Sequence, residues 1–284
     1  MILPSAFDAL WAAPEGVPPA LNPTDTRAHW FVFNRQRLLV VGDRRQPRLP
    51  SPIEIPLNLN AAGVRFVGLL DGMPCWAGET ALDDLGDIGQ AYSWESVRAL
   101  FSRLPDEPLA VGARALQMLE FDRTHRFCGV CATATEVHEG GRSRRCPKCN
   151  ETAYPRVAPA MMVLIKRETA AGRELLLARS PRFPAGMFSA LAGFVEISES
   201  IENCVHREAF EEVGVRIKNL QYFDSQAWPF PHSLMIAFVA DWHSGEIKPE
   251  AGEIEDARWF PMQALPQLPH RLSIARRLID AQLE

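Results

Sequence analysis

The apolar positions of this chain fall into two kinds of run, and each kind predicts an element. HWFVFNRQRLLVV (residues 29–41) and VRFVGLL (64–70) are rich in β-branched and aromatic residues and predict strands. SWESVRALFSRL (93–104) and AVGARALQMLEFDRTHR (110–126) carry apolar residues three and four apart and predict helices. Downstream, AMMVLIKR (160–167) and ELLLAR (174–179) predict strands on either side of a turn at TAAG. A glycine-containing loop and a helix over 198–213 follow, then strands at LMIAFVADW (234–242) and ARWFP (257–261), and a last helix over 272–284. This order predicts an α+β domain over 1–122 and an α/β domain over 154–284, with no internal repeat. Between them, residues 123–153 hold little apolar content and need another source of stability. Cys75 stands alone in the first region and reads as core packing.

Composition narrows the function classes. Over 284 residues, 47% hydrophobic content predicts a real core, and a net charge of −5 gives no global attraction to nucleic acid or anionic lipid. No apolar run reaches the roughly 18 residues of a membrane-spanning helix. The first 20 residues lack the basic start and long apolar stretch of a secretion signal, so a cytoplasmic protein is expected.

Four of the six cysteines form two pairs, Cys128–Cys131 in CGVC and Cys146–Cys149 in CPKC, 14 residues apart. Each pair can present two thiolates from a tight knuckle, and four thiolates complete a closed tetrahedral Zn²⁺ site. One CxxC alone would leave a redox pair open; two at this spacing predict a structural zinc ribbon over 123–153. His138 lies between the pairs and is not needed as a ligand. The basic run RSRR (142–145), with Lys148, reads either as a solvated ribbon face or as a contact for RNA or phosphates.

The helix over 198–213 carries the densest chemistry. Ser198 reads as its N-cap, Glu199 and Glu202 suit its N-terminus, and Gly214 suits its C-terminal cap. Ile201, Cys204, Val205, Ala209 and Val213 make one apolar face. Glu208, Glu211 and Glu212 are spaced i, i+3, i+4 and project together. Such a face is either solvated or gathers divalent cations of the hard, oxygen-loving kind, Mg²⁺ or Mn²⁺. Arg207 can pair with Glu199. A second stretch, SQAWPFPHS (225–233), sets the flat faces of Trp228 and Phe230 between Pro229 and Pro231. It reads as an aromatic core turn or as a rigid wall for a nucleobase.

The pattern G-x5-E-x7-R-E-U-x-E-E-x-G-U, with U apolar, is met by Gly193, Glu199, Arg207, Glu208, Ala209, Glu211, Glu212, Gly214 and Val215. In this the chain resembles the Nudix hydrolases. The resemblance implies an α/β/α sandwich around a mixed sheet and hydrolysis of a nucleoside diphosphate linked to another group. The zinc ribbon before the box, and SQAWPFPHS followed by Leu234–Met235, resemble the NADH pyrophosphatase branch, whose motif is SQPWPFPxS; Ala227 is the departure.

That resemblance implies cleavage of NAD(H) to NMN(H) and AMP, and removal of NAD caps from RNA. It implies substrate contacts at Gln226, Ala227, Trp228, Pro229, Phe230, Pro231, His232 and Ser233, at Ala275, and at Arg98 in ESVRAL. It implies an aromatic clamp of Tyr154 and Phe194 contributed by different protomers, hence a homodimer. Catalytic cations are implied at Glu208, Glu211, Glu212 and Glu253 and at the backbone carbonyl of Ala192, with Glu255 a neighbouring competitor of Glu253. Glu212 is the candidate general base. Gly141 stands where relatives carry a substrate-contacting acid. The rival expectations are a Nudix hydrolase for another substrate, such as ADP-ribose, and a non-catalytic nucleotide- or RNA-binding protein.

Overall fold

The computed structural model describes residues 7–8, 27–55, 63–81 and 91–283, and the chain divides into two compact units, residues 2–156 and 157–284. In the first, β1 (Phe7–Asp8), β2 (His29–Asn34), β3 (Arg37–Val41), β4 (Arg65–Leu70), β5 (Met73–Glu79) and β6 (Tyr92–Ser96) form one sheet in the order β1-β4-β5-β2-β3-β6. Among the described residues of this sheet, only β2 and β5 pair in parallel. Helix α1 (Asp106–Thr124) buries Leu109, Val111, Ala115 and Leu119. It approaches the sheet closely at Gly112, where a Cβ would stand 3.2 Å from the Phe31 ring.

Two expectations are corrected here. Residues 29–41 are a hairpin, not one strand: Arg35 takes a left-handed φ of 54°, and Phe33 pairs with Leu38. Residues 93–104 are not a helix. Tyr92–Ser96 adds to the sheet beside β3, and Ser96 Oγ then caps a short 3-10 turn by accepting from the Ala99 N–H at 3.2 Å. The open edge of β3 satisfies a whole row of backbone groups, which outweighs the helical spacing of the apolar residues.

Strands β7 (Glu136–His138), β8 (Ser143–Arg145) and β9 (Thr152–Ala153) form the small sheet that carries the cysteines. Here Arg144 of the basic run faces inward. It pairs with Asp122 at 2.8 Å and donates to Thr135 and to the His125 carbonyl, so it braces the ribbon on α1.

The second unit contains β10 (Ala158–Thr169), β11 (Gly172–Arg179), β12 (Leu191–Phe194), α2 (Ile201–Val213), β13 (Arg216–Trp228), β14 (Ser233–Ser244), β15 (Asp256–Pro261) and α3 (Ile274–Asp280). The sheet order is β13-β14-β10-β11-β15, with β12 also paired to β10 and β10 parallel to β14. Alternation along β10 builds the two sides of the sandwich. Met161, Val163 and Ile165 pack with Cys204, Val205, Ala209 and Val213 of α2; Ala160, Met162 and Leu164 pack with Ile274, Leu278 and Ile279 of α3. Helix α2 starts later than expected. Ser200, not Ser198, is its N-cap, accepting from the Asn203 N–H at 3.2 Å, while Ser198 sits in the turn before it with φ 64°. Helix α3 is likewise shorter than residues 272–284, because Ser273 caps it and it ends at Asp280.

The two large sheets share a topology. The order β4-β5-β2-β3-β6 repeats as β13-β14-β10-β11-β15, the central parallel pair recurs, and a helix follows the last strand each time. The expectation of no internal repeat is therefore corrected at the level of topology. What differs lies between the second and third strands of the repeat. The second unit inserts β12 and α2 there; the first has, among the described residues, a single 3-10 turn at Pro52–Glu54.

Candidate active site

Helix α2 is fastened so that its acidic face meets β12. Gly214 ends the helix with a left-handed φ of 74°, and its N–H returns to the Phe210 carbonyl at 2.8 Å. At the other contact, a Cβ on Gly193 would overlap the Glu208 carboxyl group. Only glycine lets that carboxylate lie against β12. Gly193→Ala is therefore expected to displace a flexible carboxylate rather than unfold the sheet. Turnover should fall about 100-fold, the usual cost of a misplacement near 1 Å, while the melting temperature stays close to wild type. Steady-state kinetics beside a thermal melt would check both halves.

Arg207 organises the acids. Its Nε and Nη2 donate to the two oxygens of Glu199 at 2.8 and 2.9 Å, a bidentate pair. Nη1 donates to Glu208 at 3.0 Å and to Glu211 at 2.8 Å, and Nη2 also reaches the Phe194 carbonyl at 3.0 Å. The pairing with Arg207 holds Glu199 down to about 2. Glu208 is pushed up by burial, partly offset by Arg207.

Glu212 lies deepest. It is 7% exposed and leaves Oε2 buried with no hydrogen-bond partner. Burial, then the charges of Glu208 and Glu253, push it up to about 8. Glu253 arrives on a loop pinned to α2 by the Glu250 N–H, which donates to the Glu212 carbonyl at 2.9 Å. Glu255 turns away and pairs with Arg179 at 3.0 Å, which settles which of the two faces the helix. These groups line a cavity of about 850 Å³. Glu250, Glu196 and Arg182 also line it and were not singled out from the sequence; their local context carries no motif. An orphaned buried oxygen among crowded carboxylates is what a hard divalent cation satisfies.

The four cysteine Sγ atoms all lie within 4.8 Å of one another. Cys128–Cys149, Cys131–Cys146 and Cys131–Cys149 are each 3.5 Å apart. A tetrahedral ion with bonds of about 2.3 Å needs edges of about 3.8 Å, so the set is nearly in place. Each knuckle closes alike: the Ala132 N–H returns to Cys128 O and the Asn150 N–H to Cys146 O, both from residues with positive φ.

The stretch 225–233 is the end of the β13–β14 hairpin, with Trp228 paired to Ser233, rather than a corner before a lone strand. Trp228 and Phe230 are half-buried and meet edge to face at 5.2 Å. The register brings this end close to Phe194. Ala160 of β10 pairs with Phe194 on one side and Met235 on the other, and Ala158, two residues away, pairs with Ser233. Phe194 is 58% exposed there. Ala227 and Pro231 are exposed, His232 is half-buried, and Pro229 is buried.

Two of the expected contact residues are buried. Gln226 is buried, donating to the Leu272 carbonyl at 2.8 Å and accepting from the Ile274 N–H at 2.7 Å, so its amide ties the hairpin to α3. Ala275 is buried on the inner face of α3. Within the first unit, Tyr154 is 60% exposed just after the ribbon, Arg98 is exposed on the 3-10 turn after β6, and Gly141 has φ 95° with open space around it.

Comparison with known proteins assigns all three regions. The NUDIX domain family matches residues 156–282, the NADH pyrophosphatase zinc ribbon domain matches 123–154, and the NADH pyrophosphatase-like rudimentary NUDIX domain matches 27–120. The last agrees with the repeated topology. A protein of Chromobacterium violaceum named NAD-capped RNA hydrolase NudC is 49% identical over 88% of this chain and 89% of its own length. One of the same name from Deinococcus radiodurans is 45% identical, covering 92% of this chain and 89% of its own. A third, from Pseudomonas syringae, is 58% identical over 68% of each.

Proposed function

The chain belongs to the Nudix hydrolase family, in the branch that carries the NADH pyrophosphatase zinc ribbon, and from that premise we propose that it hydrolyses the pyrophosphate of NAD(H) to NMN(H) and AMP and removes NAD caps from RNA 5′ ends. One observation carries the reading: Glu208, Glu211, Glu212 and Glu253 line one cavity in a chain that matches NAD-capped RNA hydrolases along most of its length.

Mg²⁺ or Mn²⁺ would be held by Glu208, Glu211, Glu212, Glu253 and the Ala192 carbonyl. When bound, such ions supply Lewis acidity toward the pyrophosphate oxygens and toward water. The protein's own part is to place donors and move a proton. Arg207 keeps Glu208 and Glu211 on one side of the cavity. Glu212, the deepest of these acids, takes the proton of the attacking water. Water oxygen joins one phosphorus, the bridging oxygen leaves with the other, and two monophosphates result. Zn²⁺ would be held by Cys128, Cys131, Cys146 and Cys149, where four thiolates leave no open position for chemistry and its part would be to hold the ribbon.

Trp228, Phe230 and Phe194 offer aromatic surface for the bases of the dinucleotide, with Ala227, Pro231 and His232 at its edge. In a homodimer, Tyr154 of one protomer would complete that surface beside Phe194 of its partner, with Arg98 a further contact. Trp228→Ala should raise the Michaelis constant for NADH about tenfold, the scale of one lost base stack. Because the indole is half-exposed, its melting temperature should fall only a little. A large stability loss with an unchanged Michaelis constant would return the hairpin to the core-turn reading. No helix among the described residues is long and apolar enough to cross a membrane, and the expected compartment is the cytoplasm.

The reading is tested by kcat/KM for NADH and ADP-ribose measured side by side, with release of NMN from NAD-capped RNA as a third arm. NADH should lead ADP-ribose. Preference for ADP-ribose would move the protein to another substrate within the same family.

A further inference from the structure

The charge balance of the cavity singles out one side chain that the mechanism above leaves unused. The lining includes six glutamates, Glu196, Glu208, Glu211, Glu212, Glu250 and Glu253, against two arginines, Arg182 and Arg207. Arg207 is consumed by Glu199, Glu208, Glu211 and the Phe194 carbonyl. Among the described residues, the Arg182 guanidinium forms no ion pair.

Its backbone is nevertheless well held. Residues Ser180 to Phe183 form a β-turn, closed by the Phe183 N–H donating to the Ser180 carbonyl at 3.0 Å, with Pro181 at the second position. The Arg182 N–H donates to Ser180 Oγ at 3.4 Å. Both ends of the loop are tied down. Arg179 pairs with Glu255 and donates to the Pro184 carbonyl, and the Phe188 N–H donates to the Gln267 carbonyl at 2.9 Å. A fixed turn of the β11–β12 loop thus sets an uncommitted cation in the lining of an acidic cavity, while the carboxylates come from α2, from the 250–254 loop and from Glu196 just after β12.

The reaction creates charge that such a group can meet. A dinucleotide diphosphate carries two negative charges. Adding water gives two monoesters and releases two protons, each monoester approaching two negative charges at neutral pH because its second pKa is about 6. The new charge appears on the phosphate that leaves with the bridging oxygen. The glutamates cannot stabilise it, and Arg207 is already engaged.

We propose that Arg182 binds the departing monophosphate and stabilises the charge it gains as the pyrophosphate bond breaks. The guanidinium fork matches phosphate oxygens, and a donor aimed at developing charge lowers the barrier to breaking the bond. The assignment rests on the diphosphatase reading given above.

The test compares wild type, Arg182→Ala and Arg182→Lys, with NADH and ADP-ribose as substrates. Arg182→Ala should lose about 10- to 100-fold in kcat/KM, the scale of one charge-assisted hydrogen bond, with kcat falling more than KM rises. Added guanidinium at non-denaturing concentration should restore part of the alanine variant's turnover, and Arg182→Lys should fall between the two. Mn²⁺ affinity by calorimetry should be unchanged, since the carboxylates are untouched. Turnover of Arg182→Ala within twofold of wild type, or no response to guanidinium, would overturn the assignment. Binding of AMP and of NMN by calorimetry needs no turnover and separates the two readings. If wild type hydrolysed neither substrate, the diphosphatase reading would fall, while AMP and NMN binding both equal in wild type and Arg182→Ala would sink the role of Arg182 by itself.

Discussion

Replacing Glu212 by glutamine is expected to lower NADH turnover by about 10²- to 10⁴-fold, the range of general-base assistance, while the protein stays folded. The side chain is 7% exposed with one orphaned oxygen, so glutamine keeps its volume and removes its proton-accepting charge. The same burial sets a pH signature. The folded-state pKa of Glu212 is raised to about 8 from an ordinary 4.5. A carboxyl raised in this way contributes stability that is fully present below its unfolded pKa and is lost as pH rises through the folded one. Metal-free wild type should therefore lose stability relative to Glu212→Gln between about pH 4.5 and 8. Mg²⁺ should narrow that gap, because a cation takes the place of the proton. Thermal melts at pH 5 and pH 9, with chelator and with Mg²⁺, read this directly. A variant with most of its metal-dependent turnover would remove Glu212 from the proton-transfer role.

Cys146→Ser should have the largest effect on stability. Cys146 is fully buried, and its Sγ lies 3.5 Å from that of Cys131. Structural zinc in small ribbons contributes about 10–16 kcal/mol of apparent binding free energy, far more than the short strands β7 to β9 can replace. Bound zinc should fall from one per chain to nearly none. Protease should then cut between residues 125 and 153, where intact protein resists. The Arg144–Asp122 pair joins the ribbon to α1, so part of the first unit should loosen with it. Zinc analysis and limited proteolysis check both results, and a variant that keeps its zinc would contradict the four-thiolate site.

The sequence was most legible where chemistry restricts residue type. Glutamates at i, i+3 and i+4, Gly193 at the start of the box, Gly214 at the helix end and the paired cysteines each have few substitutes, and they read at once. Strands with imperfect alternation did not. β13 went unassigned because RIKNLQYFDSQAW mixes polar and apolar residues, and its pairing with β14 shifts register at three places, which breaks the period of two. The first unit's sheet repeats the second's topology without its motif, and no local pattern can report which strands pair across a sheet. The choice between Glu253 and Glu255 needed the fold, because both are acids two residues apart and only the Arg179 pairing separates them. Arg182 was silent for a related reason: a lone arginine beside two prolines signals a turn, and its cavity is visible only once β12 and α2 are in place.

The central claim is that the α2 carboxylates cut the pyrophosphate bond of a nicotinamide dinucleotide. Its most direct test is chromatography of the products from NADH incubated with the purified protein and Mg²⁺ or Mn²⁺, with and without chelator. Equal amounts of NMNH and AMP, absent when the cation is removed, are the predicted result. Intact NADH under every metal condition, or release of nicotinamide in place of NMNH, would contradict it.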